Sequence, residues 1–302
     1  MIYENNCIFV CSRGLLKSCD ICSDNPQSSC KTDYSYLINM IKMNKMFDGI
    51  SIYVCSDLLK YFVNQILPKI NNNFVLVSGD SDLCVPKEAL TSQEFAILIN
   101  SNFLLKWFAQ NTHFQNHEKI FQMPIGLDYH TIGNNPSHKW KLKTENHLPF
   151  YQEETLINIK NNSKPFYDRI QKIYVNFSLT NDRFNDRKKS LNTIPLNLLD
   201  KNLNFIPRTI NWNIMSKYTF VLCPFGVGMD CHRTWEALCL GCIPILCAPI
   251  FKKLFEELPV LIVNNWKEIT EELLNSTIEK FKNLSFNYDK LLLKYWVEKI
   301  KK

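Results

Sequence analysis

Short apolar runs punctuate the chain, and most of them break into polar or glycine-bearing stretches. Ile8-Phe9-Val10-Cys11 breaks at Ser12-Arg13-Gly14, and Ile50 to Cys55 forms a second run. Asn73 to Val77 breaks at Ser78-Gly79-Asp80, and Lys119 to Pro124 ends in Gly126-Leu127-Asp128. Runs of this length, rich in β-branched and aromatic residues, suit buried parallel strands. Between them, Tyr34 to Phe47 and Phe103 to Asn111 read as helices. Residues 131–170 show little periodicity and form the connection between two halves, with a helix near Gln152 to Asn161. The alternation then resumes. Lys172 to Phe177, Tyr218 to Cys223, Cys242 to Cys247 and Val260 to Val263 read as strands. Arg183 to Leu191, His232 to Leu240, Trp266 to Phe281 and Asp289 to Lys299 read as helices, with Gly241 as a C-terminal stop. Such alternation predicts an α/β fold with parallel sheets, divided into Rossmann-like halves over 1–150 and 151–302. No tandem repeat is present.

Composition narrows the picture only a little. Of 302 residues, 46% are hydrophobic, which fits a globular chain able to bury a core without metal or disulfides. The net charge of +6 is mild and its basic residues are scattered, so no nucleic-acid partner is expected. No run approaches the roughly 20 apolar residues of a membrane span, and Met1 to Asn6 lack the pattern of a signal peptide. A soluble, cytoplasmic protein with reduced thiols is therefore expected. Five of the 12 cysteines, Cys7, Cys11, Cys19, Cys22 and Cys30, cluster near the start. Cys19-Asp-Ile-Cys22 is a single C-x-x-C, a weak signal for zinc, and these read as buried or loop thiols. Glycine is scarce, at 8, so each one carries more information.

The richest segment runs from Tyr218 to Ala248. A strand enters Pro224, followed by Phe225-Gly226-Val227-Gly228-Met229-Asp230, then a helix opening at His232-Arg233, then Gly241-Cys242-Ile243-Pro244. Glycines in such a loop permit positive φ and close approach of a ligand. A helix start offers free N–H groups and a positive dipole end to a phosphate. Arg233 lies in the first turn, where it can add a charge-assisted contact, and Glu236 follows one turn later on the same face, suited to ribose hydroxyls. Gly226-Val-Gly228 matches only part of a dinucleotide fingerprint, because Cys231 stands where the third glycine belongs. No Lys-Ser or Lys-Thr follows, so it is no P-loop.

The stretch Phe220 to Ile245 resembles the donor-site motif of exostosin-like glycosyltransferases. Val10 to Gly14, Leu76 to Asp82, Trp107 to Asn111 and Pro124 to Thr131 are also similar to short, soluble members of that family in large DNA viruses and protists. The resemblance implies a GT-B fold, two Rossmann-like domains facing across a cleft, with acceptor bound by the first and donor by the second. It implies inverting transfer from a nucleotide-sugar, a UDP-sugar or similar, to a glycan acceptor, with no cofactor beyond the donor itself. For a viral chain the compartment would be the host cytoplasm. The donor residues it implies are Gly226, Gly228, Arg233 and Glu236; Pro224 and Asp230 of the same segment are donor candidates beside them, and Arg187 with Lys188 is a candidate to complete the phosphate site, against the reading of an exposed helix face. Larger exostosins have Ser-x-Arg where this chain reads Cys231-His232-Arg233, and they carry a membrane anchor.

An inverting transferase needs a general base. Ligands of open α/β sheets lie beyond the strands' carboxyl ends, which here present Arg13, Asp57, Asp80, Asp82, Asp128 and His130. Asp82, Asp20 and His130 with Asp128 are the candidates, against the reading that they are turn and cap residues. Asp80-Ser81-Asp82 also has the form of a D-x-D metal motif, although no metal is expected in a fold that can grip diphosphate with Arg and a helix dipole. Trp107, Phe108 and Trp212 read as core. Two other functions stay open: a degenerate relative that binds glycan or nucleotide without turnover, and an oxidoreductase, which Cys231 argues against.

Overall fold

The computed structural model describes residues 4–22, 35–42 and 46–302. Among them the chain forms two parallel sheets. The first comprises β1 (Ile50–Cys55), β2 (Phe74–Gly79), β3 (Leu104–Ala109) and β4 (Ile120–Gln122), in the order β1-β2-β3-β4. The second comprises β5 (Ile170–Val175), β6 (Leu199–Lys201), β7 (Tyr218–Leu222), β8 (Ile243–Leu246) and β9 (Leu261–Ile262), in the order β6-β5-β7-β8-β9. The helices are α1 (Ser12–Lys17), α2 (Ser35–Lys42), α3 (Leu59–Tyr61), α4 (Ser92–Ile99), α5 (His130–Asn134), α6 (Pro149–Asn161), α7 (Asp186–Thr193), α8 (Arg208–Met215), α9 (His232–Cys239), α10 (Glu271–Lys282) and α11 (Leu293–Lys301). This is the α/β, GT-B-like architecture read from the sequence: two Rossmann-like units with parallel sheets and a cleft between them.

Strands β1, β2, β7 and β8 are buried along their whole lengths, as continuous apolar runs covered on both faces must be. Helix α9 stops where expected. Gly241 adopts φ 75° and its N–H donates to the Leu238 carbonyl, a turn that a Cβ would strain.

Two expected elements differ. Phe103 to Asn111, expected as a helix, contains strand β3. Leu104, Trp107 and Phe108 recur at helical spacing, but pairing with β2 and β4 prevails, and the Trp107 indole donates to Ser78 Oγ at 2.8 Å. Ile8 to Cys11, expected as a strand, makes only isolated bridges, to Leu292, Gly126 and Leu127. The amides of Ile8 and Phe9 donate to the Glu153 carboxylate, each at 2.9 Å, so a side chain of α6 replaces a neighbouring strand. Helix α1 then begins at once.

Around the division expected near residue 150, the halves are bound closely together. Helix α11 returns to the first half, where Leu293 N–H donates to the Ile8 carbonyl at 2.9 Å and Lys301 pairs with Asp20 at 3.5 Å. One buried cluster runs through both halves, joining Val10, Leu16 and Phe108 to Trp212, Trp235 and Trp296. Trp107 packs in the first half's own cluster, and Ile173 and Trp266 anchor that of the second.

Candidate functional site

In the second sheet the strand order reverses between β5 and β7, the switch point where open α/β sheets leave a crevice. The chain leaves β5 through Asn176-Phe177-Ser178 and β7 through Cys223-Pro224-Phe225. Two arginines converge there. Arg187, buried on α7, donates from Nη1 to the Ser178 carbonyl at 2.6 Å and from Nε to the Phe225 carbonyl at 3.2 Å. Arg233, in the first turn of α9, donates from Nε to the Asn176 carbonyl at 3.2 Å. Both guanidinium carbons lie over the Phe177 ring, at 5.5 and 5.0 Å from its centre. Neither cation has a carboxylate within ion-pair reach among the described residues. Arg233 Nη1 is buried without a hydrogen-bond acceptor. Burial and the neighbouring Arg233 lower the Arg187 pKa from its ordinary value. A buried and a half-buried guanidinium beside a helix N-terminus have the chemistry to bind an anion.

The loop from Pro224 to Asp230 is shaped by packing rather than by unusual backbone angles. Neither Gly226 nor Gly228 has positive φ. A Cβ on Gly226 would instead collide with Arg187 Nη2, and one on Gly228 would stand 2.9 Å from Asp82 Oδ1. With glycine at both positions, Arg187 and Asp82 of the opposite half lie close against the backbone. Asp230, expected at the donor, is an internal anchor. It is buried, its carboxylate accepts from Ile125 N–H at 2.8 Å and from the Trp235 indole at 3.0 Å, and burial pushes it up to about 6. Its own N–H donates to Asn111 Oδ1 at 2.9 Å, tying the loop to the first half. Pro224 ends the strand, and its carbonyl lies 3.7 Å from the Cys231 thiol. Glu236 is half-buried, and its carboxylate has no hydrogen bond or ion pair among the described residues.

A cleft of about 560 Å³ lies between the halves, at the carboxyl ends of the first sheet's strands. Ser12, Asp57, Asp80, Asp82 and His130 line it from the first half, and Arg183 and His232 from the second. His130 Nδ1 lies 3.2 Å from Asp128 Oδ1, which leaves Nε2 as the free nitrogen of the ring. Asp128 also accepts the Thr131 N–H at 2.9 Å, opening α5, and pairs with Arg208 Nη2 at 3.0 Å. Burial acts to raise the Asp128 carboxyl, but His130, Arg208 and His232 outweigh it and hold it well below the usual range. Burial lowers His130 to about 4 against the pull of Asp128, so the ring is neutral at pH 7 with a lone pair available. His232 directs Nδ1 at the Gly126 carbonyl, 2.7 Å away, and its ring centre lies 5.9 Å from that of His130.

The other carboxylates separate. Asp80, at φ 55°, is 6% exposed at its side chain, lies 3.6 Å from Arg13 Nη2, and is raised by burial to about 6. Asp82 faces the cleft mouth beside Gly228, and burial raises it as well. The two acids of the D-x-D sequence thus point to different partners. Asp20, expected as a base, is outside the cleft. It accepts from the Ser51 hydroxyl at 2.7 Å and amide at 3.0 Å and pairs with Lys301, near the amino end of β1. Asp80 and Asn111 gain their importance only from the fold, since each sits in a turn whose neighbours are distant in sequence.

A second recess, of about 590 Å³, lies at the amino ends of β5 and β7, lined by Asn158, Asn162, Arg169 and Lys217. The carboxyl ends, where open α/β sheets generally bind ligands, carry the titratable groups described above. Trp107, Phe108 and Trp212 are core. Cys7, Cys11 and Cys19 are buried thiols, and Cys30 lies outside the described residues. Among the described residues no group of three or more His, Cys, Asp or Glu is placed to hold a metal ion, and no helix is long and apolar enough to cross a membrane.

No protein-family model matches the chain, and no curated protein matches it. Solved structures similar to it include an α1,3-fucosyltransferase with GDP-fucose, 12% identical, covering 95% of this chain and 86% of that one with a TM-score of 0.35. Another α1,3-fucosyltransferase is 15% identical over 91% and 85% of the two chains, with a TM-score of 0.26. At such scores the chemistry must be read from this chain's own residues.

Proposed function

We propose that the protein is an inverting glycosyltransferase that moves a sugar from a nucleotide-sugar, a UDP-sugar in the first instance, to a hydroxyl of a glycan acceptor. The observation that carries this reading is the pair of buried Arg187 and half-buried Arg233 over one Phe177 ring at the switch point, without a counter-ion among the described residues. A diphosphate supplies the missing charge, and the N-terminus of α9 adds its dipole. Glu236, without a hydrogen bond or ion pair among the described residues, is available to ribose hydroxyls. The resemblance of Phe220 to Ile245 to the donor-site motif of exostosin-like glycosyltransferases supports the same assignment, with Gly226 and Gly228 keeping the loop thin.

The cleft supplies the rest of the reaction. His130 Nε2 takes the proton of the acceptor hydroxyl, with Asp128 fixing the tautomer and orientation of the ring. The acceptor oxygen bonds to the anomeric carbon as the bond from that carbon to the diphosphate oxygen breaks. The electron pair leaves with the diphosphate, where the two arginines stabilise the growing charge. Asp82, at the cleft mouth, is placed to hold acceptor hydroxyls.

The test is thermal stability of the purified protein against UDP, GDP, NAD and their sugar conjugates, with and without Mn²⁺. A ligand of the folded state raises the apparent stability by mass action. The reading expects a rise with one nucleotide-sugar that Arg233→Ala abolishes. A rise with NAD alone would overturn it, and binding without transfer or hydrolysis would make the chain a non-catalytic relative.

A further inference from the structure

Resting on that reading, we propose that His232 is a specificity-determining residue, whose Nε2 accepts a hydrogen bond from a hydroxyl of the sugar being transferred. Successive residues of a helix point about 100° apart. The first turn of α9 therefore divides its side chains between the halves. Arg233 turns to the Asn176 carbonyl and the Phe177 ring, and His232 turns to the first half. His232 Nδ1 lies 2.7 Å from the Gly126 carbonyl oxygen. A carbonyl can only accept, so Nδ1 carries the hydrogen, and in the neutral ring Nε2 keeps the lone pair.

The anchor of the ring is itself held in place. Gly126 adopts φ 66°, a Cβ there would collide with the Val10 carbonyl, and the next amide, that of Leu127, donates to the same carbonyl at 2.8 Å. His232 lines the cleft, and its Nε2 has no hydrogen bond among the described residues. Position then gives this nitrogen its role. Arg233 is the next residue in the chain, and the ring centre of His130 lies 5.9 Å from that of His232. A sugar whose diphosphate rests on Arg187 and Arg233 must bring its anomeric carbon to the hydroxyl that His130 deprotonates. Such a sugar lies between those groups and against His232. Its hydroxyls are the donors that a lone pair selects there. An acceptor covered by substrate and left unpaired is costly, so a sugar without that hydroxyl is rejected.

The test follows the histidine rings of the full chain by long-range proton–nitrogen NMR, with isotope-labelled histidine. Spectra are recorded free, with UDP or GDP, and with UDP-glucose, UDP-galactose, UDP-N-acetylglucosamine and GDP-mannose. His232→Asn identifies the signal by its absence. Asparagine keeps a donor for the Gly126 carbonyl, because its Nδ2 takes the place of the ring's Nδ1, and it has no counterpart of Nε2. The Nε2 resonance should move upfield with a bound conjugate and stay in place with the nucleoside diphosphate alone. By calorimetry, His232→Asn should bind the conjugate about three- to tenfold more weakly and the nucleoside diphosphate as the parent does. A bound conjugate that leaves Nε2 unmoved, or a shift already complete with the diphosphate alone, would overturn the proposal. So would undiminished affinity of the variant for the conjugate, or equal weakening of both ligands. Those outcomes refute the role of His232 alone, whereas no binding of any nucleotide or conjugate would refute the glycosyl-transfer reading and this role with it.

Discussion

Arg233 keeps one guanidinium nitrogen buried with no acceptor, a costly arrangement unless a ligand completes it. Arg233→Ala removes that cost along with one backbone hydrogen bond, so the melting temperature should change little. Turnover should fall about a hundredfold or more, as for other lost transition-state donors, measured as kcat with saturating donor. His130→Ala should likewise leave the fold intact and lower kcat by about 10²–10⁴. Because His130 stays neutral above about 4, kcat at saturating substrates should be flat from there to neutrality. An acid limb near 6 would instead transfer the base's role to Asp80. Arg233 and the glycines were legible because strand, loop and helix start adjoin in sequence. His130 was legible only as one of several strand-end groups. Its neighbour Asp128 stood beside it in the sequence, but only the fold shows His130 lining the cleft and Asp20 bound by Ser51 outside it.

Among the elements, the loop between β7 and α9 is the most constrained. Gly226→Ala needs no unfavourable φ, so any damage must come from its Cβ displacing Arg187. The expected result is lost nucleotide stabilisation with a nearly unchanged melting temperature of the free protein, which thermal shift reads directly. Helix α4 provides the contrast. Thr91 caps it in a reciprocal box with Glu94, the Glu94 amide donating to Thr91 Oγ1 at 3.2 Å and the Thr91 amide to Glu94 at 2.9 Å. Thr91→Ala should cost about 1 kcal/mol in denaturant unfolding and leave nucleotide binding unchanged. Long apolar runs gave away β1, β2, β7 and β8, since burial on both faces leaves no ambiguity. Strand β3 misled because Leu104, Trp107 and Phe108 satisfy helical spacing, while its pairing partners lie elsewhere in the chain. The run at Ile8 misled because its hydrogen bonds go to Glu153, far along the sequence.

At the scale of the whole molecule, buried carboxylates at the junction of the halves make stability depend on pH in two opposing ways. Asp128, joined to its neighbour His130 and, across the halves, to Arg208, has its pKa depressed in the folded state. Its contribution is present above the unfolded value near 3.9 and is lost as pH falls below it. Asp80 and Asp230 have theirs raised to about 6, so the folded state holds protons that the unfolded chain releases. Their contribution is complete below about 3.9 and is lost as pH rises through about 6. Between these limits each of the two acids makes unfolding free energy decline with pH, by an amount on the order of 2 kcal/mol, while His130, lowered to about 4, pulls the opposite way. Asp80→Asn isolates one share of that decline. Asparagine tolerates the φ of 55° at this position and carries no titrating proton. The variant loses the counter-ion of buried Arg13, so its absolute stability should drop. Its slope between pH 4 and 6 should nevertheless flatten relative to the parent in denaturant titrations at matched ionic strength. An unchanged slope would mean that Asp80 is already ionised across that range, with Arg13 compensating it in full.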